Sequence, residues 1–159
     1  MPIKEIKIKI VEYNSIKELN QEDKALINSA KIATDTAYSP YSNFSVGAAV
    51  LLENGEIITG NNQENAAYPS GLCAERVALF YANSKFPNIA VKSIAIVAKN
   101  NNKFNSIPVP PCGACRQVML ETEMRFKKPI KVILFGEKKI QIINKVTDLL
   151  PLDFTSDFF

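Results

Sequence analysis

The 159-residue chain contains no histidine and only three cysteines. Without histidine, any metal centre has to be built on thiolates, and there is no fourth cysteine to close a structural four-ligand site. Long apolar runs are missing too: nothing approaches the roughly 18 consecutive apolar residues that a membrane span requires. The opening segment, Met1-Pro2-Ile3-Lys4-Glu5-Ile6-Lys7, carries charges where a secretion signal has its apolar stretch. The expected location is therefore the cytoplasm. A net charge of +3 leaves no electrostatic footprint for nucleic acid. Internal repeats and low-complexity tracts are absent as well. At 47% hydrophobic and 22% charged residues, what is left is an ordinary folded protein. Its length suits one well-buried domain and falls short of two, so residues 1–159 are read as a single domain.

Periodicity predicts strands and helices in alternation. Residues 4–11 alternate lysine or glutamate with isoleucine and valine, close to the period of a half-buried strand. Lys4, Lys7 and Lys9 fit an edge strand guarded against mispairing better than a phosphate-binding patch. Residues 20–37 carry a helical apolar stripe of Leu26, Ile27, Ala30, Ile32 and Ala33, ended by Ser39-Pro40-Tyr41-Ser42. Residues 45–52 read as a buried strand, Asn54-Gly55 as a type I′ hairpin turn, and residues 56–59 as the returning strand. A helix over 72–82 follows Pro69-Ser70-Gly71, and the apolar run 91–98 is a central strand covered on both faces. After a polar loop, Pro110-Pro111 open a third helix over 112–123. Residues 130–135 and 139–143 are further strands, and Thr147 is a cap for a last short turn at Asp148-Leu149-Leu150. The expected fold is α/β, a mixed sheet of about five strands with helices on both faces.

Every thiol lies in one of two short motifs, Cys73-Ala74-Glu75 and Pro110-Pro111-Cys112-Gly113-Ala114-Cys115. Both motifs fall in the first turn of a predicted helix, where backbone N–H groups lack partners and the helix dipole favours thiolate. Cys112 and Cys115, three apart, face the same side. With Cys73 from the other helix they can hold a tetrahedral zinc on three sides and leave the fourth open, as catalytic zinc sites do. A Cys-x-x-Cys pair also serves redox motifs, but a redox pair leaves Cys73 unexplained. An odd cysteine count in a reducing compartment favours metal over disulfides. Glu75 could be a fourth ligand. Two residues after Cys73, it is better placed to hydrogen-bond a water in the open position.

Cys-x-Glu followed by Pro-Cys-x-x-Cys is the set of parts found in zinc nucleobase deaminases, with the glutamate moving protons and not binding metal. The chain resembles the cytidine deaminase family, in its small homotetrameric type with three cysteines on zinc. The resemblance runs through residues 38–50 (Tyr-Ser-Pro-Tyr-Ser-Asn-Phe-Ser-Val-Gly-Ala-Ala-Val), residues 62–80 (Asn-Gln-Glu-Asn-Ala-Ala-Tyr-Pro through Cys-Ala-Glu-Arg-Val-Ala-Leu-Phe) and residues 111–118 (Pro-Cys-Gly-Ala-Cys-Arg-Gln-Val).

The resemblance implies a three-layer α/β/α fold and hydrolytic deamination of cytidine and 2′-deoxycytidine to the uridines in pyrimidine salvage. It implies one Zn²⁺ per chain on Cys73, Cys112 and Cys115. Glu75 then carries protons from the attacking water to ring N3 and to the departing amine. Phe44 matches the aromatic beside the pyrimidine, Ala74 a backbone contact to the base edge, and Asn62 with Glu64 the pair on the ribose hydroxyls. Arg76 matches an arginine donating to the sulfurs, and Phe154 an aromatic that enters a neighbouring subunit's site. The implied partners are a nucleoside and three further copies of the chain, not nucleic acid or membrane. Arg76 also has a purpose on physical grounds. Three thiolates leave the zinc centre anionic and weaken it as a Lewis acid, and a guanidinium beside the sulfurs offsets part of that loss.

Outside that context Phe44 would read as core, Asn62 and Glu64 as turn residues, and Phe154, Phe158 and Phe159 as a tail capping a core or an interface. Gln63 departs from the family in replacing an aliphatic residue, and residues 1–19 are an N-terminal strand extension. Two other functions compete: a deaminase of a modified cytosine nucleoside such as blasticidin S, and a non-enzymatic zinc-binding module with a closed four-ligand site. Asn62 and Glu64 favour an ordinary ribose. A deaminase of polynucleotides is disfavoured by the modest charge.

Overall fold

Seven strands form one mixed sheet in the computed structural model, which describes residues 1–159. They are β1 (Ile10–Tyr13), β2 (Phe44–Leu52), β3 (Ile57–Asn61), β4 (Val91–Asn100), β5 (Lys103–Phe104), β6 (Lys131–Phe135) and β7 (Ile140–Ile143). The order across the sheet is β1-β7-β6-β4-β2-β3, with β5 folded onto the end of β4. Only β4 and β6 run parallel; every other pair is antiparallel. Three helices, α1 (Gln21–Ala33), α2 (Ala74–Lys85) and α3 (Gly113–Phe126), complete the α/β fold.

The layers follow from the side-chain period of two. In β2, Ala48, Val50 and Leu52 face α2 and α3, while Ala49 and Leu51 face α1. In β4, Ile94 and Ile96 go with the first set, and Ala95 and Val97 with the second. A strand buried on both faces has no polar alternation, which is why these segments read as mostly apolar runs. Leu26, Ile27 and Ala30 make the α1 layer, and Ala78, Leu79, Met119 and Leu120 the opposite one. Gly60 of β3 allows α2 to lie close: a Cβ there would sit 2.5 Å from Ala78 N.

Several expectations need correction. The sheet has seven strands, not about five. One was invisible because β5 is two residues long and paired only through Lys99↔Phe104 and Asn100↔Lys103. The loop between those strands, Asn101 (φ 48°) and Asn102 (φ 61°), has the two positive φ values of a type I′ turn. That geometry was expected at Asn54-Gly55. There only Gly55 is left-handed (φ 87°), and Leu52 bonds both Gly55 N and Glu56 O at 2.9 Å, giving a three-residue loop.

The N-terminal strand starts at Ile10 and not at residue 4, since its partner β7 ends at Ile143, opposite Ile10. Residues 1–9 have no strand partner. Ile32, placed in the buried stripe, is 71% exposed, because it falls on the far side of α1 from Leu26, Ile27 and Ala30. Thr147 does not cap the turn Val146–Leu149. The buried Glu123 carboxylate ties that turn down instead, accepting from Ile130 N (2.8 Å), Val146 N (2.7 Å) and Thr147 N (3.2 Å).

Candidate active site

The N-termini of α2 and α3 converge on one point. Cys73 is the residue capping α2, Cys112 the residue capping α3, and Cys115 lies in the first turn of α3. Neither capping sulfur bonds its own helix. They turn toward each other instead, with Cys73 Sγ 3.9 Å from Cys112 Sγ and all three sulfurs within 4.8 Å of one another. A tetrahedral zinc with Zn–S bonds of about 2.3 Å needs sulfurs about 3.8 Å apart, so the trio fits that ion. Glu75 is not part of the cluster. Cys115 is buried, Cys73 half-buried and Cys112 exposed, so the site is open on the Cys112 side.

Within the trio, Cys73 is electrostatically prepared for a cation. The Cys115 thiol donates toward Cys73, and with Arg76 and Cys112 it brings the Cys73 thiol down to about 5 despite partial burial. Cys115 moves the opposite way, held protonated by that hydrogen bond and by burial. Arg76 Nη2 lies 3.5 Å from Cys73 Sγ. Glu75, 5% exposed, has its carboxyl pushed up by burial and secondarily by the charge on Cys73.

A cavity of about 470 Å³ opens onto these groups. Phe44, Val46, Ile96, Val109 and Pro110 give it apolar walls, and Cys73, Ala74, Glu75 and Cys112 share the lining with Ser42, Asn62 and Glu64. Such a volume suits a small organic ligand. Val109, Pro110 and Cys112 reach it on a loop seated on Gly136, where a Cβ would lie 2.5 Å from Ile107 C and 2.7 Å from Pro108 N. Glu137 N and Lys138 N fasten that loop by donating to Asn105 O (3.0 Å) and Ser106 O (2.9 Å).

Residues 20–129 match the family model described as the cytidine and deoxycytidylate deaminase zinc-binding region. The chain belongs to this deaminase family. The cytidine deaminase of Halalkalibacterium halodurans is 47% identical over 132 residues, covering 83% of this chain and 93% of that one. Among solved structures, the cytidine deaminase from Burkholderia pseudomallei superposes with a TM-score of 0.69 at 40% identity, over 82% of this chain and 97% of that one. The Mycobacterium tuberculosis enzyme gives a TM-score of 0.68 at 31% identity, over 86% and 99%.

In this deaminase-family chain, Phe44, Asn62, Glu64, Ala74, Glu75, Cys73 and Cys112 meet at one cavity, with Cys115 clustered behind the other two sulfurs and Arg76 in contact with Cys73. Asn62 is stitched to β2: its Oδ1 accepts from Val46 N at 2.7 Å and its Nδ2 donates to Phe44 O at 2.9 Å. One N–H and one lone pair are left over. Glu64 accepts from Tyr41 N (2.9 Å), Ser42 N (3.3 Å) and the Ser42 hydroxyl. The Ser42 hydroxyl first, then the Tyr41 N–H, hold its carboxyl below the usual range.

A second chamber of the same size shares Ser42, Asn62, Glu64 and Cys73 and continues past Tyr41, Tyr68 and Arg76. Gln63 lines it, its Nε2 bonded to Asn61 Oδ1 at 2.6 Å. Phe154 is elsewhere: it is 64% exposed, stacks on Phe158 at 6.0 Å, and lines neither chamber of its own chain. Two residues were missed by sequence reasoning. Ser42 was given no role of its own within residues 38–50, and the part Gly136 plays depends on a loop nearly thirty residues earlier in the chain.

Proposed function

We propose that this protein is a zinc-dependent hydrolase that deaminates cytidine and 2′-deoxycytidine, consuming one water and releasing uridine or 2′-deoxyuridine and one ammonia. The observation that carries this reading is a cluster of three thiols, two of which line one nucleoside-sized cavity together with a buried glutamate. Cys73, Cys112 and Cys115 would hold one zinc per chain, which when bound would supply the Lewis acidity that brings the pKa of a water toward neutrality. Glu75 carries both protons of the attacking water, the first to ring N3 and the second, taken from the new hydroxyl on the ring carbon, to the departing amine, which leaves as ammonia. Its raised carboxyl suits a group that must both accept and give. The α2 and α3 N-termini and Arg76 spread positive charge over the thiolates.

Phe44 flanks the base, the Ala74 backbone contacts its edge, and Asn62 and Glu64 receive the ribose hydroxyls. Phe154 completes a neighbouring site in a homotetramer, a role supported by its exposure and by its distance from its own cavity. The whole chain acts as one catalytic domain in cytoplasmic pyrimidine salvage. No helix is long and apolar enough to cross a membrane. The modified-nucleoside reading is not favoured beside relatives that are cytidine deaminases.

One experiment tests the whole: ultraviolet loss of cytidine and ammonia release in parallel, with and without a zinc chelator, on protein sized by light scattering. Turnover that survives complete zinc removal would sink the reading.

A further inference from the structure

The loop leading into β2 brings one more polar side chain to the cavity, and its hydrogen bonds set the direction of a single proton. Asn43 has a left-handed backbone (φ 54°), which asparagine tolerates better than most residues, and its N–H closes a turn onto Ser39 O at 3.0 Å. Through this turn Ser42 reaches Glu64, 22 residues along the chain. Phe44 N–H donates to Ser42 Oγ at 3.1 Å, and Ser42 Oγ in turn bonds Glu64 Oε1. A serine hydroxyl has one proton, an amide N–H only donates and a carboxylate only accepts, so the Ser42 proton is committed to Glu64.

The other carboxylate oxygen, Oε2, is occupied by Tyr41 N–H and Ser42 N–H. Of about four acceptor positions on the carboxylate, three are used, and the free one is on Oε1, the oxygen Ser42 holds. Ser42 lines both chambers, so this carboxylate is fixed at the point where they join.

We propose that Ser42 is a positioning residue for sugar recognition, orienting Glu64 so that its remaining lone pair meets a ribose hydroxyl. The inference rests on the reading of Glu64 as a ribose contact. Without the Ser42 hydroxyl, Glu64 keeps only the two backbone N–H bonds on Oε2, so Oε1 must be oriented at each binding event, and that cost weakens substrate binding. The sugar is remote from the reacting carbon and is held alike in ground and transition states. The loss therefore appears in KM and not in kcat.

Steady-state kinetics with cytidine on the zinc-loaded enzyme test this, using Ser42→Ala, Ser42→Thr, Glu64→Ala and the Ser42→Ala/Glu64→Ala double variant. The expected result for Ser42→Ala is a KM about tenfold higher, the worth of one hydrogen bond to a charged group, with kcat within about twofold. Ser42→Thr keeps the hydroxyl and restores KM. Glu64→Ala raises KM at least as much as Ser42→Ala, and the double variant is no worse than Glu64→Ala, because Ser42 acts through Glu64. Unchanged KM in Ser42→Ala while Glu64→Ala is impaired overturns the positioning role alone, as does an additive double variant. Unchanged KM in Glu64→Ala overturns the ribose assignment beneath it. A melting temperature for each variant separates these outcomes from misfolding.

Discussion

Glu75 and Arg76 are neighbours in sequence with opposite tasks. Glu75 is buried with its carboxyl pushed up, while Arg76 reaches Cys73 Sγ with one nitrogen and keeps its buried Nε without a partner. Replacing Glu75 by glutamine conserves shape and removes the proposed proton carrier. Glu75→Gln is expected to hold zinc normally and to lose at least 10² to 10⁴ in kcat, roughly the contribution of general acid-base catalysis. Zinc content and turnover on the same sample check it. Arg76→Ala removes the donor to Cys73 and leaves the thiolate cluster uncompensated, so kcat should fall more than zinc occupancy. Full turnover in zinc-loaded Arg76→Ala would show that the guanidinium is only packing. The cysteines and Glu75 were legible in sequence because their chemistry admits few other residue types at that spacing. Ser42 and Glu123 were not, since what they do depends on backbone groups brought to them by the fold.

Elements were readable where local chemistry and tertiary packing agree. α2 and α3 lie within three residues of their predicted limits, because proline and glycine punctuation and good helix formers precede and fill them. The hairpin turn was misjudged since the dipeptide Asn54-Gly55 is compatible with two loop lengths, and pairing of Leu52 with Glu56 selects the longer. The loop of residues 105–111 shows what no local pattern contains. It carries Cys112 to the other sulfurs and is seated on Gly136, with backbone atoms where a Cβ would go. No side-chain rotation relieves such a clash. Gly136→Ala is expected to cost about 1–3 kcal/mol by overpacking and to displace Cys112 from the cluster. The variant should lose zinc to a chelator faster than the parent, and its cobalt-substituted form should show a weaker thiolate-to-metal absorption band. Glu137→Ala, which adds no atom at the contact, serves as the control. Equal band intensities in Gly136→Ala and the parent would remove Gly136 from any part in holding Cys112.

At the scale of the whole molecule, the N-terminal extension divides into two parts with different energetics. β1 covers the edge of β7 through four residue pairs, and Val11 and Tyr13 pack against the core on the α1 side. Residues 1–9 have no strand partner, and Ile3, Ile6 and Ile8 are exposed among lysines. The alternating pattern of residues 4–11 was a true strand signal that ran past the end of its partner. A strand needs a neighbour to satisfy its backbone, and β7 stops at Ile143. Removing residues 2–9 is therefore expected to leave the melting temperature within about 2 °C, since surface changes away from packed features usually cost under about 0.5 kcal/mol. Removing residues 2–13 also uncovers β7 and part of the α1-side core. With two partly buried apolar side chains lost, the cost should be about 2–3 kcal/mol, a fall of roughly 4–12 °C for a chain of this size. β7 and β6 separate β1 from β4, the strand that supplies Ile96 to the cavity, so both truncated forms should keep the parent kcat below their melting temperatures. Calorimetry and cytidine turnover on the two truncations decide the matter. A large loss of stability on removing residues 2–9 alone would mean that this segment packs against the protein in solution.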